Sequence, residues 1–261
     1  MTEHILLDFS HIYEGKRNFE AHGLTLIDLS DISGTNMYCT KEAAAEIRQR
    51  LKPWGPQGIH FLDNGNYHYA TLFFLEKIRE PFSLVLFDHH TDMQKPMIPY
   101  LLSCGSWAGE ALKNSRFLKQ LILIGPEKKS MDSIAGCLKE RLIGISMEEI
   151  ARGDSEEELG RIDLSLPIYI SIDKDVLSPY YARTNWSQGT MTADILKRLL
   201  LEMFLHQRVI GVDLCGECSF QEPLPQLTED IRINAETNQK LYEYLLYLIQ
   251  NQQSAMEKEG T

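Results

Sequence analysis

Leu84-Val85-Leu86-Phe87-Asp88-His89-His90-Thr91-Asp92 decides how the chain is read. An apolar run leads without a break into an Asp-x-His-x-Asp. Runs of this kind belong to strands covered on both faces, the habit of parallel sheets flanked by helices. Asp88, His90 and Asp92 alternate with period two. In extended backbone that puts both carboxylates and one imidazole on the same side. Ligands of open α/β sheets bind beyond the carboxyl ends of the strands, and the triplet stands at such an end.

Working outward, similar apolar runs at 4–9, 24–29, 58–62, 83–87, 120–124, 141–145, 168–172 and 209–212 read as strands. Longer segments at 41–51, 69–78, 107–118, 192–205 and 230–250 read as helices, with Thr192 as an N-cap and Asp194 in its first turn. Alternation at this spacing implies βαβ units. The expected fold is α/β: a three-layer α/β/α with a mostly parallel sheet of about eight strands. No Gly/Ser linker or repeat divides the chain, so 1–261 reads as a single domain, with 252–261 as a frayed polar tail.

Three further strand ends carry polar clusters. Asp63-Asn64-Gly65-Asn66-Tyr67-His68 follows 58–62, and Asp173-Lys174-Asp175 follows 168–172. Asp213 follows 209–212, with Glu217 four residues on. Asp88, Asp92, Asp173 and Asp175 gathered in one place repel unless cations sit among them. Carboxylate oxygens with a minority of imidazole nitrogens suit a hard-to-borderline divalent ion, Mn²⁺ ahead of soft metals. No cysteine lies inside these runs, which disfavours a thiolate zinc site. A lone Asp-x-Asp is more often a cap or a surface ion pair. Two such patterns on separate strands favour a metal centre, in which bridging carboxylates would let two ions share the donors. His4, His11, His22, His60 and His206 lack this context and are expected to be structural or exposed.

Composition sets the outer bounds. The chain has 261 residues, 43% hydrophobic and 24% charged, with a formal net charge of −11. That is ordinary for a globular protein with its own core and needs no disulfides. The acidity argues against nucleic acid and anionic membranes as partners. Met1-Thr2-Glu3-His4 has no basic flank or apolar core of a signal peptide, and no apolar run is long enough to span a bilayer. The five scattered cysteines fit a reducing cytoplasm, and the Cys215-x-x-Cys218 pair reads as ordinary thiols.

The chemistry-bearing residues resemble the ureohydrolase superfamily of arginase, agmatinase and formiminoglutamase, with histone-deacetylase-like proteins as distant relatives. Residues 84–92 resemble that family's strand followed by Asp-Ala-His-x-Asp, and Ser171-Ile172-Asp173-Lys174-Asp175-Val176-Leu177-Ser178-Pro179 resembles its Ser-Phe-Asp-x-Asp-x-x-x-Pro. Gly65-Asn66-Tyr67-His68 resembles Gly-Gly-Asp-His, and Gln188-Gly189-Thr190-Met191-Thr192 resembles Gly-Gly-Leu-Thr. Order and spacing agree over at least Gly58 to Glu217. The resemblance implies an arginase-like fold and a binuclear manganese centre, with Zn²⁺, Fe²⁺, Ni²⁺ or Co²⁺ as other candidate ions. It places one ion on His68, Asp88, Asp92 and Asp173 and the other on Asp88, His90, Asp173 and Asp175. The deacetylase branch normally keeps one zinc site, so the full ligand set points to the two-metal branch.

Two cations would lower the pKa of a bridging water from about 15.7 toward neutrality. The resulting hydroxide would attack an sp² carbon bearing nitrogen in a guanidino or amidino compound, with Asp92 carrying a proton to the leaving amine. Glu217 is expected to orient a cationic substrate if its loop bulges, and Trp107 to line the pocket or else fill core at the start of its helix. Other readings are a metal-dependent amidohydrolase or deacetylase acting on acylated amines, and a metal-holding pseudoenzyme used as a binding module. A small cationic or amide substrate is the expected partner, and a homo-oligomer is possible. Several positions depart from the family pattern. His89 replaces a small residue, Lys174 an apolar one and Tyr67 an Asp. Ser103-Cys104-Gly105-Ser106-Trp107 lacks the histidine that shuttles protons in arginase. Gly216 stands where arginase has the Glu that grips guanidinium, with Glu217 one residue beyond.

Overall fold

Every apolar run expected to be a strand is one in the computed structural model, which describes residues 4–13, 23–98 and 100–259. Met1–Glu3 and His22, both used in the sequence reading, lie outside the described residues. In chain order the elements are β1 (His4–Asp8), β2 (Leu24–Asp28), β3 (Tyr38–Cys39), α1 (Lys41–Arg50), β4 (Ile59–Phe61), α2 (Thr71–Leu75) and β5 (Phe82–Phe87). Then come β6 (Leu102–Ser103), α3 (Trp107–Asn114), β7 (Leu118–Ile124), α4 (Lys128–Asp132), α5 (Gly136–Lys139), β8 (Leu142–Ile145), α6 (Met147–Arg152) and α7 (Glu156–Leu159). The chain closes with β9 (Ile168–Asp173), α8 (Ala193–His206), β10 (Val209–Cys215) and α9 (Leu224–Glu259). Eight strands form one sheet in the order β2-β1-β4-β10-β9-β5-β7-β8, and every pairing in it is parallel.

The continuous apolar runs explain the layers. Along β5 and β7, Leu84, Leu86, Leu121 and Leu123 face one core, packed with Ile47 of α1, Phe73 and Phe74 of α2 and Leu112 of α3. Their neighbours Val85, Phe87, Ile122 and Ile124 face the other, packed with Leu196 and Leu200 of α8 and Leu241 and Leu245 of α9. A strand with a core on each side needs no polar residue at alternate positions. Thr192 caps α8 as expected, its hydroxyl accepting from the Ile195 N–H at 3.2 Å.

The differences from the sequence reading have local causes. β3 and β6 pair as a small antiparallel ribbon, too short to leave a periodic signal. The short helices α4–α7 are likewise below that limit. α9 starts at Leu224 and runs on to Glu259, so the tail expected to fray from 252 is helical there. Gln252 ties it down. Its amide donates to the Phe204 and Gln207 carbonyls at 2.9 and 2.8 Å, and its oxygen accepts from the Val209 N–H at 2.9 Å. Among the described residues no helix is long and apolar enough to cross a membrane.

Candidate metal centre

β5 and β9 are neighbours in register, with Phe87 opposite Ile172. Asp88 and Asp173 therefore leave the sheet side by side. The chain does not continue extended past Phe87, as the period-two reading assumed. It bends, and Asp92 sits in the left-handed region at φ 49°. The Asp88 carboxylate accepts the His90 N–H at 2.6 Å, which turns the loop back over the strand end. The Asp92 carbonyl accepts the Ala108 N–H at 3.0 Å, anchoring that end of the loop to the first turn of α3. On β9, Asp173 accepts the Asp175 N–H at 2.9 Å and caps a short 3₁₀ turn, Lys174–Val176. His68 lies on a 3₁₀ helix, Gly65–Ala70, capped by the Asn64 side chain.

These turns bring the six expected ligands together. Ligand atoms of His68, Asp88 and Asp92 lie within 4.8 Å of one another, and so do those of Asp88, His90 and Asp175. Asp88 belongs to both groups. Asp173 completes the set, its Oδ2 3.4 Å from His68 Nδ1. His68 Nδ1 also faces Asp92 Oδ2 at 3.1 Å and Asp88 Oδ2 at 3.3 Å. Its other ring nitrogen lies 3.0 Å from the Ser171 hydroxyl, which leaves Nδ1 as the atom turned to the acids. His90 Nδ1 lies 2.8 Å from Asp175 Oδ2 and its Nε2 3.0 Å from the Ser187 hydroxyl. Five of the six are buried and His90 is half-buried.

The electrostatics fit divalent cations. Burial, then the charge of Asp175, pushes the Asp173 carboxyl up; burial, then the charge of Asp88, does the same to Asp175. Burial alone would discharge the imidazoles, yet hydrogen bonds donated to Asp88 and Asp92 hold His68 well above its ordinary value. Asp175 and Asp88 likewise hold His90 up, at about 11. Burial and mutual repulsion thus oppose charging these acids together, a cost that cations held among them would relieve. Such donors give up their protons to bind a metal, and carboxylates with two imidazoles suit a hard-to-borderline divalent ion.

Two expected roles need correction. Trp107 is fully buried beneath the cluster rather than on a pocket wall. Its indole N–H donates to Asp92 Oδ2 at 2.5 Å and its ring lies 4.8 Å from that of His68, so it positions both side chains. Glu217 does not reach the cleft. The loop bulges as expected, with Gly216 at φ +95°, and the Gly216 and Glu217 N–H groups both donate to the Asp63 carbonyl. A Cβ on Gly216 would stand 2.5 Å from Asp173 Oδ1, so the chain presses against a ligand there. The Glu217 carboxylate then turns inward, accepting from Lys174 Nζ at 2.6 Å and from the Asn238 amide of α9 at 2.7 Å. Lys174 also donates to Asn238 Oδ1 at 2.7 Å and is fully buried. His60 is structural, held by Asp213 at 2.8 Å, and His206 is exposed beside Glu202. Cys215 and Cys218 are buried free thiols.

Over the cluster opens a cleft of about 180 Å³, walled by Met37, Tyr38, Met97, Cys104 and Trp186 around four of the acids and His90. The sequence reading had not singled out Tyr38. Trp186 is set by its N–H bond to Asn66 Oδ1 at 3.0 Å and lies against Gly65, where a Cβ would come within 2.5 Å of its ring. Asn185 accepts the Gly65 N–H at 3.0 Å, tying this wall to the start of the helix that bears His68.

Comparison with known proteins agrees with this geometry. The arginase family model matches residues 6–219. An uncharacterized protein of Thermotoga maritima is 30% identical over 212 residues, covering 81% of this chain and 78% of that protein. Among solved structures, formimidoylglutamase from Bacillus subtilis superposes with a TM-score of 0.63 at 15% identity, over 94% of this chain and 86% of that one. A hypothetical agmatinase from Burkholderia thailandensis gives 0.60 at 16% identity, over 96% and 87%. Proclavaminate amidino hydrolase from Streptomyces clavuligerus gives 0.59 at 15% identity, over 94% and 92%. The chain belongs to the arginase family.

Proposed function

We propose that this arginase-family chain is a binuclear metal hydrolase of the ureohydrolase type, cleaving a C–N bond at the sp² carbon of a small guanidino or amidino compound. The observation that carries this reading is the pair of ligand groups sharing Asp88 at the foot of an open cleft. His68, Asp88, Asp92 and Asp173 would hold one ion, and Asp88, His90, Asp173 and Asp175 the other, with Mn²⁺ the favoured metal. Two bound cations supply a water acidified from about 15.7 toward neutrality as the nucleophile.

The chain's own residues supply the rest. Ser171 and Trp107 fix His68 and Asp92 from behind, and such supporting contacts set ligand geometry. Asp92 lines the cleft, which supports its role as the group that would pass a proton to the leaving nitrogen. With all five cysteines free, the proposed setting is a reducing one, the cytoplasm.

A second reading, an amidohydrolase acting on acylated amines, is favoured by one observation: Glu217, the residue expected to hold a cationic group, is occupied by Lys174. The test begins with metal content after reconstitution, where about two ions per chain are expected. Urea or amine release from a guanidino panel is then compared with acetate release from acetylated polyamines. Asp173→Asn should abolish turnover and one ion's binding. Full turnover by that variant, or a metal-free protein after reconstitution, would refute the proposal.

A further inference from the structure

The charges around the cleft say what kind of substituent it accepts. The cluster holds Asp88, Asp92, Asp173 and Asp175, whose four negative charges two divalent ions cancel. Among the described residues, the only charged side chain lining the cleft beyond these ligands is Lys95. Glu217, the nearest carboxylate on the β10 loop, is consumed by Lys174 and Asn238. A cationic tail on a substrate would therefore lose hydration and meet no counter-charge. The wall offers something else. Met37, Met97 and Trp186 line it and are 37%, 88% and 36% exposed, large apolar side chains left open at the mouth. Tyr38, Pro96 and Cys104 continue that surface inward.

We infer that the substituent carried beyond the scissile C–N group is uncharged and apolar, a short alkyl or aryl group. The cleft volume of about 180 Å³ is below that of pockets for drug-sized ligands, which sets the length. This rests on the hydrolase reading of the same site. Met97 and Trp186 are its specificity-determining residues: both meet the tail, and Trp186 also lies edge-on to His90, with ring centroids 5.8 Å apart.

The test uses two isosteric pairs on the Mn²⁺-loaded protein. One is pentylguanidine against 4-aminobutylguanidine, and the other N-pentylacetamide against N-(4-aminobutyl)acetamide. Binding is read by calorimetry and turnover by product release. In whichever pair binds, the neutral member is expected to bind tighter on the order of tenfold, since it buries apolar surface where its partner must desolvate an ammonium. Met97→Glu, at a position too exposed to disturb folding, should remove that preference. Equal or tighter binding of the cationic member, or no binding by either pair, overturns the inference. A protein that takes up no Mn²⁺ fails the metal reading first, and the metal content taken before titration separates the two failures.

Discussion

Lys174→Met is the perturbation that tests the interior of this site most directly. Lys174 Nζ and Glu217 Oε1 are 2.6 Å apart and both side chains are buried. At an effective dielectric of about 20 the gross attraction at that distance is about 6 kcal/mol. Most of it offsets the cost of taking two charges out of water, so the pair's net contribution is small. Removing one partner is different, because Glu217 is left charged, buried and held only by Asn238. That costs about 3–5 kcal/mol. At roughly 2–4 °C per kcal/mol for a chain of this size, the melting temperature should fall by about 6–20 °C. The double variant Lys174→Met/Glu217→Gln removes both charges, keeps a partner for Asn238, and should regain most of the loss. Urea and thermal unfolding of the parent, both single variants and the double variant complete the cycle. A single variant within about 1 kcal/mol of the parent, or a double variant no better than the single, would refute the buried-pair argument.

Three other outcomes are expected. Trp107→Phe keeps the ring but loses the N–H that holds Asp92, and should weaken binding of one ion by about 10- to 100-fold in a metal titration, leaving the fold intact. Saturating Mn²⁺ at about 100 times its Kd should add about 2.7 kcal/mol per site and raise the melting temperature by about 10–20 °C for two sites, reversed by chelator; an unchanged transition would return the aspartates to an electrostatic surface role. Burial, against hydrogen bonds from Ser10, Phe9 and Asn64, raises the Asp63 carboxyl to about 7 in the fold. The unfolded value is near 4, so the folded chain binds this proton more tightly, and its contribution is full below about pH 4 and lost as pH rises through about 7. It amounts to about 4 kcal/mol, and Asp63→Asn should remove that slope from unfolding measured at pH 5 and pH 8.

The sheet was legible because of its burial. Leu84–Phe87 and Leu121–Ile124 face a core on each side, so nothing polar interrupts them and the runs stand out. The candidate ligands were legible because carboxylates at the ends of such strands have no structural reason to gather. Their convergence has a different origin from the one the alternation suggests. Asp92 reaches the cluster through a left-handed bend and the first turn of α3 rather than along an extended strand. Side-chain destinations set by distant partners left no local signal. Trp186 becomes a wall of the cleft through Asn66, 120 residues earlier. Glu217 is drawn inward by Lys174, 43 residues before it, and by Asn238, 21 residues after it.

The two departures from the family pattern that looked unrelated in sequence are one interaction in space. Lys174 replaces an apolar residue between two ligands, and Glu217 stands one position beyond the expected acid. Successive residues of the 173–175 turn point to opposite sides. Asp173 and Asp175 project into the cluster, while Lys174 projects away from it to Glu217 and α9. An ammonium this close behind four carboxylates would be drawn among them if it were free, since opposite charges that near attract strongly in a buried site. Glu217 and Asn238 hold it back, and Gly216 gives the loop the close approach to Asp173 that sends Glu217 to meet it. Either charge alone would be buried with only the Asn238 amide beside it, so each depends on the other. The Gly216 and Glu217 N–H bonds to the Asp63 carbonyl and the Asn238 amide hold the inward turn without the lysine, so Lys174→Met should leave Glu217 buried and the cleft's preference for an uncharged tail intact.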